Sequence, residues 1–382
     1  MILRFSLLLL LALTARAEEI QRLWLTHQTN DPSKLEVNWE TAQPGDSVVE
    51  FGDTPVLGQS VKREEAVTLH HVEIPLARRD ALHYRVRSGA QASAIHSVQG
   101  YPTKELRVAV FADAGYAKAS WGEAVAKEKP HLLISAGDHI PSLHRGQPVP
   151  KNDTTAFSKL VDRYPRLFAT TPWLPLLGNH DREIRPRGPK PPPEPVYDVE
   201  ATAFREFFAL PDDEWKWRFD VPEFGVRFVA VDLSHTQDHG TTWQTNQPFL
   251  PGSPQFEWFR DLMAASREPF LISLYNERNA TVRGFAKGAW AQAIGQGTLA
   301  ITGFGYYAER AEVDGVTYYN TSVGGTGTPY PDPKSAFLKS EDNFILLTFR
   351  REPRELRVEL KNVAGEVLDG KTFMPRAGST AQ

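Results

Sequence analysis

The chain has 382 residues, a formal net charge of −4 at pH 7 and no cysteine. The lack of cysteine excludes disulfides and thiolate metal sites. A mildly acidic balance without a basic block argues against nucleic acid as a partner. A chain of this length predicts two domains.

Residues 1–17 are predicted to be an export signal. Arg4 supplies a positive charge, residues 5–13 form a short apolar run, and residues 15–17 read Ala-Arg-Ala, the form that signal peptidase accepts. An apolar core of about ten residues is too short to span a bilayer. We expect a periplasmic or extracellular protein without a stable membrane span after cleavage, and a retained anchor is the alternative.

The segment 20–99 has the pattern of strands and turns. Residues 35–39 and 83–86 alternate between apolar and polar side chains, and residues 47–51 follow a Pro-Gly-Asp turn at 44–46. Short strands at this spacing predict an all-β sandwich. The stretch 82–86, Leu-His-Tyr-Arg-Val, resembles a late strand of a fibronectin type III-like module.

Residues 104–350 change to a strand, loop and helix pattern, which predicts an α/β domain. Residues 351–382 are expected to add one or more strands and a tail. The proline-rich stretch 185–193 is predicted to be an exposed loop, either a plain surface excursion or a rim of the site. The predicted strands are 106–111, 131–135, 226–231, 270–274, 299–302 and 344–349, and the predicted helices are 201–208 and 255–264.

Polar side chains with oxygen ligands follow three apolar runs. Asp113, Asp138 and Asn179 each lie in a turn after such a run, where side chains of neighbouring strands converge. Carboxylates placed in this way can hold one or two divalent metal ions, and a pair of ions can clamp a phosphate ester. The sequence therefore predicts a metal site at these three residues.

Two acid–base candidates lie beside the predicted ligands. His180 could protonate the leaving group or contact the phosphoryl oxygens, and Asp181 could orient His180 by a hydrogen bond. His139, directly after Asp138, is a second candidate for contacting the substrate. His180 and Asp181 are therefore the predicted catalytic residues, and His180 and His139 the predicted substrate-binding residues.

The motifs Asp-Ala-Gly at 113–115, Gly-Asp at 137–138 and Gly-Asn-His-Asp at 178–181 resemble those of the calcineurin-like metallophosphoesterases. Within that superfamily, the chain is most similar to the purple acid phosphatases. The resemblance implies a four-layer α/β/β/α sandwich behind the β-sandwich, bound divalent metal ions and the hydrolysis of phosphate esters.

The chain departs from the family pattern in the later motifs. Pro141 stands where the family has a tyrosine ligand, and residues 275–277 read Tyr-Asn-Glu where a strand should end in histidine. Phe304 and Tyr306 occupy the positions of two further histidines. The remaining oxygen ligands favour manganese or magnesium over iron(III) or zinc, and a protein without metal stays an alternative.

Other side chains could replace the lost ligands. Asp232 and Asp238 lie in the same polar segment, residues 232–239, as His235 and His239. The alternatives are solvated loop residues for the histidines and a packed core residue for Tyr306. The candidate replacements are Tyr306, Asn276, Glu277, His235 and His239.

Two functions from different classes follow from these motifs. The first is a secreted metallophosphoesterase that hydrolyses phosphate esters with metal-activated water at an atypical or weakened metal site. The second is a non-catalytic pseudophosphatase that uses the same cleft to bind a phosphate ester, another small polar ligand or a partner protein. Catalytic activity stays open at this point.

Overall fold

A computed structural model describes residues 20–76, 81–325, 327 and 330–379. The predicted export signal, residues 1–17, lies outside the described residues. Within the part of the chain that the structure describes, no helix is long and apolar enough to cross a membrane.

The N-terminal region is an antiparallel β-structure in which one long strand pairs with three others. Strand β2 pairs with β1, β3 and β4, and β4 also pairs with β5 and β6. This confirms the predicted all-β region. The strands are β1 (Ile20–Thr26), β2 (Lys34–Gly52), β3 (Gln59–Pro75), β4 (Ala81–Ser88), β5 (Gln91–Ala92) and β6 (His96–Gln99).

The turn predicted at residues 44–46 is wrong. Strand β2 continues through these residues, and its register against β3 shifts on either side of Gly45. An irregularity of this kind bends a strand without ending it, because extra residues on one strand face fewer on its partner. The Pro-Gly-Asp sequence therefore lies at an irregularity within one long strand.

The rest of the chain contains thirteen strands and seven α-helices among the described residues. The strands are β7 (Glu105–Phe111), β8 (Leu132–Ala136), β9 (Trp173–Leu176), β10 (Trp217–Val221), β11 (Val226–Ala230), β12 (Phe270–Tyr275), β13 (Leu299–Thr302), β14 (Ala308–Val313), β15 (Val316–Asn320), β16 (Ser335–Lys339), β17 (Asn343–Arg351), β18 (Arg354–Asn362) and β19 (Val367–Phe373). The helices are α1 (Trp121–Lys127), α2 (Thr155–Arg163), α3 (Pro165–Phe168), α4 (Thr202–Phe208), α5 (Pro254–Ala265), α6 (Asn279–Gly284) and α7 (Ala289–Ile294).

These strands form two sheets. The first has the order β19-β18-β17-β7-β8-β9, and the second has the order β10-β11-β12-β13-β15-β14-β16. Strands β7, β8 and β9 run parallel, as do β11, β12, β13 and β15. Parallel strands bring their carboxyl ends to one edge, and that is where sites form in such folds.

The two sheets pack face to face, and helices cover their outer faces. Phe349 of the first sheet contacts Phe228 and Phe270 of the second, with ring centroids 6.0 and 5.6 Å apart. On the outer face of the first sheet, the ring centroid of Trp121 in α1 lies 4.3 Å from that of Phe111. Helices α5 and α7 share a buried apolar cluster with the outer face of the second sheet. The α/β/β/α architecture implied by the resemblance is confirmed.

The two regions pack against each other and share one apolar core. Trp24 of β1 stacks on Phe207 of α4 at 4.1 Å, and the Tyr84 hydroxyl donates to the carbonyl of Ala169. Residues 354–373, within the predicted C-terminal segment 351–382, extend the first sheet as β18 and β19.

Candidate active site

The carboxyl ends of β7, β8 and β9 bring the three predicted ligands to one edge of the first sheet. Asp113 and Asp138 both adopt left-handed backbone conformations, with φ of 58° and 55°. Such conformations cost a non-glycine residue about 1–3 kcal/mol and cluster at functional sites. A Cβ at Gly178 would lie 2.1 Å from Oδ1 of Asp138, so that position requires glycine.

The two carboxylates are buried and repel each other. Asp113 is 1% exposed and Asp138 is 6% exposed. Burial raises the pKa of both groups, and the charge of Asp138 adds to the rise at Asp113; the pKa of Asp138 is about 6. Oδ2 of Asp113 is buried without a hydrogen-bond partner. The positive charge of His180 opposes the rise at both groups without cancelling it, and the unpaired oxygen of Asp113 is available to an external ligand.

The donor set fits one hard divalent ion better than a pair of transition metals. Two carboxylates and the side-chain oxygen of Asn179 are the ligand type that magnesium and manganese prefer. Asn179 is buried, and a hydrogen bond joins its side chain to that of Tyr197. Among the described residues there is no group of three or more histidine, cysteine, aspartate and glutamate side chains arranged to hold a metal.

His180 is held at both ring nitrogens. Nδ1 lies 3.0 Å from a carboxylate oxygen of Glu183, and Nε2 lies 2.9 Å from the Tyr116 hydroxyl. Burial opposes the charged form of the ring, but Asp138 and Glu183 outweigh it and raise the pKa of His180 to about 9. The imidazole is therefore protonated at neutral pH and, at 23% exposure, is accessible to a ligand.

Asp181 does not orient His180, contrary to the sequence-based expectation. Its carboxylate accepts hydrogen bonds from the backbone N–H groups of Gly178, Asp138 and His139 at 2.8, 2.9 and 2.8 Å. It also lies 2.8 Å from Nδ1 of His139. The short 3₁₀ turn at 180–182 directs Asp181 inward, where it joins the turns after β8 and β9.

His139 does not reach the cleft and so is not a substrate contact in this structure. Its ring is 1% exposed and lies between Asp181 and Ser135, whose hydroxyl is 2.5 Å from Nε2. The ring also packs edge-on against Trp173. Its role is to hold the turn that carries Asp138.

Sequence reasoning missed Tyr116 and Glu183, the two residues that hold His180. Each has a recognisable position in the chain. Tyr116 directly follows the Asp-Ala-Gly motif, and Glu183 stands three residues after His180, a spacing that brings side chains together on one helical turn. Glu183 also contacts Nε2 of His144 at 3.3 Å.

Neither Asn276 nor Glu277 is placed as a replacement ligand. The amide of Asn276 donates to the carbonyls of Ala136, at 2.7 Å, and of Gly303. The carboxylate of Glu277 accepts from the backbone and hydroxyl of Thr236. Both side chains are therefore engaged in hydrogen bonds within the protein.

The predicted histidine cluster divides into a rim residue and a packed residue. The pKa of His235 is lowered to about 4 by burial and by Arg187, while His180 and Glu183 are close enough to influence it. Its ring is 27% exposed, so it lies at the rim of the cleft as a neutral imidazole. His239 instead contacts Asn246 at 3.1 Å and is not brought to the carboxylates.

Two acidic residues near these histidines have basic partners. Asp232 forms a fully buried ion pair with Arg182 at 2.8 Å. Asp238 accepts from Arg187 at 2.8 Å, and the guanidinium of Arg187 lies 4.3 Å above the ring of Trp243. Arg187 belongs to the proline-rich stretch, which is irregular and largely exposed as predicted and which reaches the rim near His235.

Tyr306 lies at the centre as a neutral phenol. Its ring centroid is 5.4 Å from that of Tyr116, and a hydrogen bond joins the two side chains. Burial, Asp138 and Asp113 all raise the pKa of Tyr306, which disfavours the tyrosinate form needed for strong metal binding. Phe304 is half-buried, with its ring 6.3 Å from that of His235. Aromatic side chains thus fill the positions of the lost histidines.

Solved structures of other proteins resemble this chain to different degrees. A purple acid phosphatase, PPD1 from yellow lupin (Lupinus luteus) seeds, matches with a TM-score of 0.69 and 16% identity over 92% of this chain and 74% of that chain. GAP50, the anchor in the inner membrane complex of Plasmodium, gives 0.47 and 14% over 73% and 92%. Vps29 of Chaetomium thermophilum gives 0.33 and 11% over 71% and 100%. At these identities the first likeness concerns the fold alone.

Sequence comparisons give the family directly. No curated protein sequence matches the chain significantly. The family described as calcineurin-like phosphoesterase matches residues 106–313, more than half of the chain. That family implies divalent metal ions, in agreement with the unpaired carboxylate oxygen at Asp113. The chain belongs to the calcineurin-like phosphoesterase family.

Proposed function

We propose that this protein is an exported hydrolase of phosphate esters that uses a divalent metal ion held by Asp113, Asp138 and Asn179. The observation that carries the proposal is the pair of adjacent buried carboxylates, one with an oxygen that has no hydrogen-bond partner. Manganese or magnesium suits this oxygen-rich donor set better than iron(III) or zinc. Export rests on the sequence of residues 1–17 alone.

The chain's own residues supply binding and proton transfer. A divalent ion at the three ligands would polarise a phosphoryl oxygen as a Lewis acid. Protonated His180 attracts the phosphoryl oxygens and can give a proton to the leaving alkoxide. Since Glu183 holds Nδ1, Nε2 is the nitrogen that donates, and it exchanges its contact with Tyr116 for one with the ester.

A second candidate is a non-catalytic protein that binds a phosphate ester, another polar ligand or a partner protein in the same cleft. The specific support is the state of the residues that stand where the later family motifs supply metal ligands. Asn276 is engaged with two backbone carbonyls, and Tyr306 is a neutral phenol bonded to Tyr116. Metal clamping supplies much of the rate in this chemistry, so the loss of ligands favours binding without turnover.

The test combines metal analysis with turnover. Protein purified without chelator is analysed for bound metal, and p-nitrophenyl phosphate hydrolysis is measured with added Mn²⁺. Asp138→Asn removes one of the two adjacent buried carboxylates, while Glu277→Gln changes a buried carboxylate at the second sheet and is the matched control. Turnover lost only in Asp138→Asn contradicts the binding protein. Phosphate-ester binding without turnover, at any metal concentration, contradicts the hydrolase.

A further inference from the structure

A cavity of about 780 Å³ lies beside the two turns that carry the carboxylates. Its wall includes Gly115, two residues after Asp113, and Pro141, three residues after Asp138; the opposite wall is helix α2. Cavities of this size are typical of sites for small organic ligands. Nothing in the proposed hydrolysis requires this space, because His180 and Asn179 do not line it.

Part of the cavity lining is apolar. Pro141 and Pro148 are exposed in its wall, Val149 and Ala156 are half-buried, and the buried Leu143 and Leu160 lie behind them. Covering such side chains with a ligand removes apolar surface from water, which gains about 25 cal/mol for each Å². The lining therefore favours a ligand with an apolar body.

The charged side chains of the lining are mostly cationic. Arg145 comes from the loop after β8, and Lys159 and Arg163 come from α2. Arg145 and Lys159 are exposed and form no ion pair within the described part of the chain. Arg163 donates to the backbone carbonyls of residues 117 and 119. The acidic residue of the lining is Asp153, so the cavity carries a net positive charge.

We propose that this cavity is a binding site for a small organic anion that has an apolar body and one negatively charged group. Arg145 of the loop and Lys159 of α2 bind the charged group, while Pro148 and Val149 contact the body. The site is separate from the metal ligands, yet it adjoins the residues that hold His180. The carbonyl of Pro141 accepts from the Tyr116 hydroxyl at 3.3 Å.

Calorimetric titration of the purified chain with octanoate, octanol and acetate tests the proposal. Octanoate has both the apolar body and the charge, so we expect it to bind more tightly than either of the other two. The double variant Arg145→Ala, Lys159→Ala should weaken octanoate roughly tenfold and leave octanol unchanged. The double variant Lys127→Ala, Lys129→Ala makes the same charge change in a separate cleft and should bind like the wild type.

A further variant tests whether octanoate binds within the cavity. Ala156 is a half-buried residue of α2 that lines it, so Ala156→Trp fills the space and should abolish octanoate binding. Circular dichroism and the melting temperature establish that the variant is folded. Failure of the wild type to bind octanoate, equal affinity in the Arg145 and Lys159 variant, or binding retained in Ala156→Trp would each overturn the proposal. None of these measurements involves a phosphate ester, so they do not depend on the proposed hydrolysis.

Discussion

The two sheets differ in whether the buried polar groups at their strand ends have partners within the protein. At the first sheet, Asp113 and Asp138 are buried side by side, and an oxygen of Asp113 has no partner. At the second sheet, Asp232 is paired with Arg182, and Asn276 is bonded to backbone carbonyls. Buried polar groups without partners are costly, so the first half is built for an external ligand and the second for internal stability.

The largest effect on stability should come from the buried ion pair at the second sheet. Asp232→Ala leaves the fully buried guanidinium of Arg182 without a charge partner. We expect the free energy of unfolding to fall by about 3–5 kcal/mol, measured by urea denaturation. A loss below about 1 kcal/mol would contradict the structural role of this pair. Arg260→Ala, which removes two exposed ion pairs on α5, is the control and should leave the urea denaturation midpoint close to that of the wild type.

At the first sheet, loss of a buried carboxylate should weaken metal binding instead of stability. Asp138→Asn removes a charged group of the proposed metal site and also the repulsion with Asp113. We expect Mn²⁺ affinity to fall by about a hundredfold or more in calorimetry, which corresponds to about 2.7 kcal/mol. The unfolding free energy without metal should not fall. Glu277→Gln should bind Mn²⁺ like the wild type, and equal losses in both variants would remove the contrast between the halves.

A buried acid far from the cleft gives a reference for the cost of an uncompensated carboxylate. Glu36 of β2 is 1% exposed, and neither of its side-chain oxygens has a hydrogen-bond partner. Burial raises the pKa of Glu36 to about 8, although Arg63 opposes the shift.

The folded state of this acid holds its proton more tightly than the unfolded chain, whose pKa is 4.5. Its contribution to stability is therefore complete below about pH 4.5 and is lost as the pH rises through about 8. Glu36→Gln should flatten this decline, so that the variant has a higher unfolding free energy than the wild type at pH 8. Parallel pH profiles for the variant and the wild type would contradict the assignment.

The smallest effect concerns the residue that holds His180. Glu183→Gln keeps the shape of the side chain but removes the charge beside Nδ1. We expect about a tenfold loss of p-nitrophenyl phosphate turnover with little change in Mn²⁺ affinity, because positioning is affected and the ligands are not. Glu257→Gln, on an exposed face of α5, is the control. A parallel loss of Mn²⁺ affinity would instead place Glu183 in the metal site.

The sequence predicted the elements well where hydrophobic pattern alone decides them. The strands near 106–111, 226–231 and 299–302 are present because continuous apolar runs can be satisfied only inside a covered parallel sheet. The prediction failed at residues 44–46, where pairing with β3 keeps a Pro-Gly-Asp sequence within a strand. Local turn chemistry lost there to cross-strand pairing, which no local pattern reveals.

By itself, the sequence determined the fold class and the family, and it predicted that Asp113, Asp138 and Asn179 lie together at strand ends, because strand-end motifs have fixed spacing along the chain. Only the tertiary structure decided which partners each polar group takes. In the fold, Asp181 and His139 stabilise the turn that carries Asp138. The ring of His180 contacts Glu183 and Tyr116. It also engaged Asn276 and Glu277 within the protein. Hydrogen-bond direction and burial depend on residues far apart in sequence, so spacing could not supply them.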